Sequence, residues 1–380
     1  MIVWKVDKSL LQDLRLLTGM CIPMGAGMMV YGWRGVLTMM LVVAGSVMAR
    51  EALRGLTIWP VSIRRLNLVS ESLLVGIFLP AGLFDVDQSM LSTSARWPFA
   101  LTAGVLLVLL KWVIERIGTT RLSPVVLTVL ILAALIPRVS SDDRVLSPQF
   151  ILRGDLLGTS VTERSVSTAD PWFLNRSGDV VLQTLRAAER IQDYLQAHVS
   201  SDRHVRTLTQ LVSDELPPLE DLVILGQPST IGQASGIGLL IGGLFLVHRR
   251  MMPFRIPVMM LMVLAVLLLI LPTPIVIGSD QTVSRWLAAR DGRVGWAVGL
   301  TFVNYLLFAS SSLAVFFFLA SRPGVRPLGR HSSMVYAILI GTLSAVLIRF
   351  VSVEWGPLMA VAMIQPLTPW LDRRIVSRPI

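Results

Sequence analysis

The sequence predicts an all-α polytopic membrane protein with about ten transmembrane helices, arranged as two inverted five-helix repeats. Three observations predict this class. Of the 380 residues, 53% are hydrophobic and only 15% are charged, which is unlike the composition of soluble domains. Ten apolar runs approach the length needed to cross a hydrocarbon core of ~30 Å. A long polar segment separates the first five runs from the last five.

The apolar runs divide the chain into three parts. Residues 1–137 form the first membrane half, residues 138–228 form an insertion, and residues 229–380 form the second membrane half. An odd number of spans in each half would turn the second half upside down relative to the first. The runs cover residues 15–33, 35–50, 66–83, 97–114, 124–137, 234–248, 256–276, 294–320, 334–351 and 355–371. The third run of each half ends in a similar sequence, FLPAG in the first half and FLASRPG in the second.

The arginines predict the orientation of the chain. The net charge is +10, yet residues 138–221 hold nine arginines against thirteen acidic residues. Most other arginines lie in alternate short loops between apolar runs, which the positive-inside rule explains better than nucleic-acid binding does. We therefore expect an inner (plasma) membrane protein with both termini in the cytoplasm and residues 138–230 outside it. Within the insertion, the apolar periodicity of residues 181–199 predicts an amphipathic helix that lies on the membrane domain.

Several kinds of chemistry are excluded by composition. One cysteine, Cys21, allows no disulfide within the chain and no cysteine-ligated cluster, and the four histidines lack the spacing of metal ligands. No nucleophile, base and acid occur in a pattern typical of a hydrolase, so no catalytic residue is predicted.

A glycine-rich stretch, STIGQASGIGLLIGG at residues 229–243, opens the second membrane half. Its glycine spacings of four are typical of closely packed membrane helices. A second interpretation is that the backbone around Ile231–Ser235 approaches a ligand, because glycine permits close approach and helix N-termini attract anions.

Polar residues inside the apolar runs are a second source of candidates. Glu71 lies in the third run, where a buried carboxylate is costly and often marks an ion pathway. The alternative is that Glu71 pairs with an arginine such as Arg64 or Arg65. Arg349 is expected to reach the outer interface or pair with Glu354. The run at 294–320 contains Asn304 and the serines 310–312, which indicate a helix break or a polar lining.

Four motifs in one order resemble the RnfD/NqrB family, whose members are the RnfD subunits of Rnf-type electron transport complexes and the NqrB subunits of the sodium-pumping NADH:quinone oxidoreductase. Family members read G-S-I-G-E-x-S, then a Leu-Leu-Gly-Gly run and W-R-I-P. Here Thr230, Ile231, Gly232 and Ser235 match, and Gln233 replaces the acid. The other three motifs are FFFLASRPGVRPLGR (316–330), GTLSAVLIR (341–349) and EWGPLMAVAMIQPLTPWLD (354–372).

The resemblance implies a flavin carrier. Such subunits attach FMN through a phosphoester to the threonine of an S-[GT]-A-T motif in the outside region. The counterpart here is SVSTADPW, residues 165–172, in which Ser167 and Thr168 fit and Asp170 stands at the attachment position. A carboxylate has no hydroxyl to esterify and repels phosphate, so covalent attachment at Asp170 is not expected and Thr168 would require a shifted register. Thr230, Gly232, Gln233 and Ser235 are the implied contacts of FMN or another flavin.

The resemblance also shows departures from the family pattern. Arg322 stands where the family has the acid of T-D-P, and NLVSESLLVG (67–76) replaces D-G-S-A-x-x-T-G. The chain is thus expected to be a membrane subunit of a redox-driven ion-translocating complex, with other subunits and membrane lipid as its partners. Two alternatives stay open: a channel or transporter built from inverted repeats, and a structural paralogue without redox work.

Overall fold

The computed structural model describes residues 8–31, 33–56, 65–79, 97–117, 122–139, 187–200, 207–216, 219–224, 230–277, 282–287 and 295–376. Within these ranges the first half contains α1 (Lys8–Tyr31), α2 (Trp33–Leu56), α3 (Arg65–Ile77), α4 (Trp97–Ile117) and α5 (Pro124–Val139). The insertion contains α6 (Ala187–Ser200), α7 (Leu208–Gln210), which continues into a wide turn at Leu211–Glu215, and α8 (Leu219–Val223).

The second half begins with a single 3-10 turn, Ile231–Gln233, before its first long helix. Its helices are α9 (Gly236–His248), α10 (Arg255–Ile270), α11 (Trp296–Ala309), α12 (Ser312–Ala314, continued by a wide turn at Val315–Ala320), α13 (Arg330–Phe350), α14 (Gly356–Ile364) and α15 (Thr368–Val376). The predicted class of an all-α polytopic membrane protein is confirmed.

Helix length does not fix the number of spans at ten. In the part of the chain that the structure describes, three helices are long and apolar enough to cross a membrane, Gly35–Gly55, Pro98–Arg116 and Arg330–Phe350. A fourth span results if α11 and the segment Ser312–Ala320, which meet at a bend of 59°, are counted together. Four further apolar helices are shorter, as expected for tilted or broken spans.

One antiparallel hairpin departs from the sequence analysis. The apolar run predicted to continue to residue 276 leaves the helix at Ile270 and forms β1 (Pro272–Ile277), which pairs with β2 (Thr282–Leu287). Pro272 and Pro274 explain the change, because each lacks the amide hydrogen that a continuing helix needs. The branched residues that follow, Ile275 to Ile277, favour a strand.

Helix packing repeats between the two halves. In the first half α2 lies along α4, and in the second half α10 lies along α13. A glycine allows each close approach: a Cβ at Gly104 would lie 2.1 Å from the Val42 carbonyl oxygen, and a Cβ at Gly341 would lie 2.8 Å from that of Met260. Between the halves, corresponding helices meet, since α1 packs on α9 and α5 packs on α14. This pattern is the one expected of an internal duplication.

The insertion helices pack on the hairpin, on α11 and on the residue that follows α13, Val351. The Tyr194 hydroxyl of α6 donates to the Pro274 carbonyl at 2.6 Å, and its ring meets the Phe302 ring edge-on at 6.4 Å. Ile191 and Leu195, on the predicted apolar face, are buried. Residues 181–186 of the predicted helix lie outside the described residues.

Candidate functional site

The glycine-rich stretch forms a buried loop at the start of α9. All six residues from Thr230 to Ser235 are buried. Ser235 is the N-cap of α9: its Oγ accepts a hydrogen bond from the Gly238 amide at 3.0 Å and donates one to the Ile224 carbonyl. A serine in this position satisfies an amide that the helix itself leaves unpaired.

We expect Ser235→Ala to lower the free energy of unfolding by about 1 kcal/mol, the usual cost of losing an N-cap. The same change at Ser70 is the control, because its Oγ bonds the Asn67 carbonyl three residues earlier on the same helix and caps no helix end. Thermal unfolding of the two variants in one detergent compares them. Equal losses would show that the cap contributes nothing beyond an ordinary side-chain hydrogen bond.

The loop joins the second membrane half to α1 and α3 of the first half. The Ile231 amide donates to the Leu79 carbonyl at 3.1 Å, just beyond the end of α3. A Cβ at Gly232 would lie 2.0 Å from Ile77 Cγ2, and a Cβ at Gly27 of α1 would lie 2.0 Å from the Ile231 carbonyl oxygen. The glycines therefore seat the loop against α1 and α3 at distances that no side chain allows.

Three backbone amides that an oxyanion at this helix N-terminus would use are already paired. The Gly238 amide binds Ser235 Oγ, the Ile231 amide binds the Leu79 carbonyl, and the Gln233 amide binds the Thr230 carbonyl at 3.0 Å. Unlike these backbone amides, the side-chain amide of Gln233 is unpaired: its Nε2 is buried without a hydrogen-bond partner in the described part of the chain. Flavin contacts at Thr230, Gly232, Gln233 and Ser235 therefore stay a prediction. The implied attachment motif with Ser167, Thr168 and Asp170 lies outside the described residues, so covalent attachment stays a prediction.

A buried charge cluster lies at the middle of α3. Glu71 Oε2 accepts a hydrogen bond from Lys111 Nζ of α4 at 2.6 Å, and Glu71 Oε1 lies 3.3 Å from Arg322 Nη2 of the second half. Lys111 also donates to Asn67 Oδ1 at 2.8 Å. The exposed fractions of the Glu71, Lys111 and Arg322 side chains are 9%, 13% and 13%. Two cations thus share one carboxylate in a site largely withdrawn from water.

Sequence analysis proposed that Glu71 pairs with an arginine such as Arg64 or Arg65, and the structure shows a pair with an arginine, Arg322, and with Lys111. Arg64 and the side chain of Arg65 lie outside the described residues, so pairing with these two stays a prediction. A lysine inside the apolar run 97–114 is a signal for this pairing, because a cation at that position needs a partner. In the sequence, Arg322 stands out only as a departure from the family pattern. The structure shows that Arg322 contacts Glu71, which lies in NLVSESLLVG (67–76), the other segment that departs from that pattern.

Serines break the helix between α11 and α12, as predicted. The Ser311 amide and hydroxyl both donate to the Glu354 carbonyl, at 3.2 and 2.6 Å, and the Ser312 hydroxyl donates to the Leu307 carbonyl at 2.8 Å. These bonds satisfy backbone groups that the 59° bend frees. Asn304 is exposed on α11 and is therefore not part of a buried polar lining.

Arg349 caps the end of α10. Its Nε donates to the Pro272 carbonyl at 3.1 Å, and its Nη2 donates to the Leu271 carbonyl at 3.2 Å and to the Thr273 hydroxyl. Arg349 is 6% exposed, and its guanidinium donates to these groups at the start of the hairpin rather than to Glu354, the partner that sequence analysis proposed. The guanidinium satisfies carbonyls that the helix leaves unpaired before the hairpin.

Asp372, the last residue of the fourth motif, fixes α15 to the start of α13. Its carboxylate accepts hydrogen bonds from the Leu328 amide at 3.0 Å, the Gly329 amide at 3.4 Å and the Ser332 hydroxyl at 3.1 Å. A carboxylate at a helix N-terminus also opposes the helix dipole favourably. The motif therefore has a structural role here. Among the described residues, no group of three or more His, Cys, Asp or Glu side chains could hold a metal ion.

Comparison with known proteins gives a match to a protein family and no match to a curated protein. No curated protein matches the chain. The sequence profile of the NQR2, RnfD, RnfE family matches residues 12–380, which includes both membrane halves and the insertion. The four motifs, the five-plus-five apolar runs and this match agree, and the chain belongs to the NQR2, RnfD, RnfE family.

Proposed function

We propose that this chain is the membrane subunit of an Rnf/Nqr-type complex in which electron transfer drives ion movement. The observation that carries the proposal is the family match over residues 12–380, on a chain that folds as a repeated helical bundle. Members of this family are subunits of multi-subunit membrane complexes. The chain would therefore work beside partner subunits that supply the electron donor and acceptor sites.

The expected cofactor is a flavin held outside the membrane by the insertion. The counterpart of the family's attachment motif is SVSTADPW, so we assign any attached FMN to the segment that contains Ser167 and Thr168. A bound flavin would supply one- and two-electron transfer. The chain's own residues would hold the flavin phosphate through a hydroxyl, which Asp170 lacks and Thr168 has.

Mass spectrometry of the peptide that contains residues 165–172 tests this assignment. The full chain is expressed with its native flavin transferase and partner subunits, and the absorption spectrum of the purified complex is recorded. We expect an FMN-phosphate adduct that Thr168→Val removes and that Asp170→Asn, a change without a hydroxyl, leaves in place. If the peptide is unmodified and the complex shows no flavin absorption that belongs to this chain, the flavin assignment is contradicted.

Ion movement is tested in sealed vesicles that contain the intact complex. With an electron donor, we expect uptake of sodium or protons that is lost when this chain is omitted. The bend at Ser310–Ser312 favours a second candidate, since broken helices also line the pathways of channels and transporters. Flux through the chain alone, without any electron donor, would support that candidate; no flux in either assay would indicate a structural subunit.

A further inference from the structure

Two joints of different kinds connect α3 to the second half. At the outer end, the joint consists of backbone: the Ile231 amide binds the Leu79 carbonyl, and Gly232 lies against Ile77 without room for a Cβ. The inner joint lies at the middle of α3, where the contact among the described residues is between side chains, with Glu71 facing Arg322 at 3.3 Å. Since a close-packed backbone contact has little freedom to move and a long side chain can rotate, only the inner joint can open without local unfolding.

Lys111 makes the inner joint reversible. α3 and α4 both belong to the first half, so the 2.6 Å pair of Lys111 and Glu71 does not join the halves. The pair of Glu71 and Arg322 does join them, and it is the longer of the two contacts. A buried carboxylate left without a partner is strongly unfavourable. When Arg322 leaves, Lys111 still neutralises Glu71, so that penalty does not arise.

Arg322 can dissociate from Glu71. It follows the wide turn that ends at Ala320 and opens the basic loop that leads to α13, which the arginine pattern places on the cytoplasmic side. Its side chain keeps 13% of its surface exposed, which gives the guanidinium a route from Glu71 to water.

We propose that the Glu71–Arg322 pair is a latch between α3 and the second half, which opens on the inner side while the loop at Thr230–Ser235 acts as the fixed outer joint and α1 stays packed on α9. Opening of the latch exposes the region behind Ser321, which is fully buried while the latch is closed. Arg322 and the residues around Glu71 both depart from the family pattern, and the structure shows that the departures form one contact. The latch does not depend on electron transfer, so it holds for a transporter as well as for a redox subunit.

Reaction of buried cysteines with N-ethylmaleimide tests the latch in the full chain, in its native membrane. The exposed Cys21 is first replaced by serine. Ser321→Cys reports on the inner joint and Ala234→Cys on the outer joint, because both positions are fully buried. The reagent is neutral, so changes of charge in the cluster do not alter its local concentration.

We expect Arg322→Gln to increase the labelling rate of Ser321→Cys at least about tenfold, a change equivalent to about 1.4 kcal/mol. Labelling of Ala234→Cys should stay unchanged. Lys111→Met should have the opposite effect at Ser321→Cys, because Arg322 is then the cationic partner that Glu71 keeps among the described residues, and the latch closes more firmly. Glu115→Gln, a change at an exposed carboxylate of α4, should alter neither rate.

Three outcomes would overturn the latch. Faster labelling at both reporters would show general loosening of the fold, and unchanged labelling at both would show that the pair restrains nothing. Faster labelling of Ser321→Cys in both Arg322→Gln and Lys111→Met would show that the cluster is static support. None of these outcomes bears on flavin content or coupled transport, which test the proposed function separately.

Discussion

Alanine at Gly27 is expected to destabilise the protein by about 1–3 kcal/mol, the usual cost of forcing extra volume into a packed site. The Cβ of this alanine would lie 2.0 Å from the Ile231 carbonyl oxygen. That oxygen belongs to the backbone of the loop that joins the halves, so no side-chain rotation can relieve the contact. Either α1 or the loop must move, and the loop is already held by the Leu79 carbonyl.

Gly25→Ala is the matched control. Gly25 lies on the same helix, two residues away, and a Cβ there would meet nothing within 4 Å. Alanine favours a helix over glycine by about 1 kcal/mol, so Gly25→Ala should leave stability unchanged or raise it. Unfolding of both variants in detergent, followed by circular dichroism, measures the difference. If Gly27→Ala unfolds together with Gly25→Ala, the close approach of α1 to the loop is not a determinant of stability.

The sequence identified most of the helices because apolar runs of spanning length have few other uses. It also placed the helix break correctly at the serines 310–312, since these can satisfy freed backbone groups. The prediction of a continuous span to residue 276 was wrong at the hairpin, although Pro272 and Pro274 inside that apolar run argue against a continuous helix. Apolar strands and helices share hydrophobicity, and only the prolines and the branched residues distinguish them there.

The candidate site was less predictable than the fold. The glycines around Gly232 stand out in the sequence, but their distances to Ile77 and to α1 depend on tertiary packing that periodicity does not encode. For Glu71 the sequence favours cation partners nearby in the chain, at positions 64 and 65. Lys111 and Arg322 instead come from another helix and from the other half of the chain. Contacts of this kind are set by how the repeats pack on each other.

The charge cluster itself should respond asymmetrically to substitution. Glu71→Gln removes the single negative charge and leaves Lys111 and Arg322 facing each other in a largely buried site, and breaking such a cluster costs about 3–5 kcal/mol. Lys111→Met removes one of two positive charges and leaves a neutral pair of Glu71 and Arg322. We therefore expect Glu71→Gln to lower the unfolding temperature far more than Lys111→Met does. Glu115→Gln, at an exposed position on α4, should have little effect.

Coupled transport in the intact complex separates stability from a role in the ion path. Each oxygen of Glu71 already lies beside a cation, and the two positive charges repel a sodium ion that approaches the carboxylate while both pairs are formed. Release of Glu71 by Arg322 would remove part of this repulsion, so we expect a role in the ion path to involve that release. If Glu71 has a role in the ion path, Glu71→Asp, which keeps the charge, should retain more transport per folded complex than Glu71→Gln. Equal transport per folded complex by wild type, Glu71→Asp and Glu71→Gln would limit Glu71 to holding the halves together.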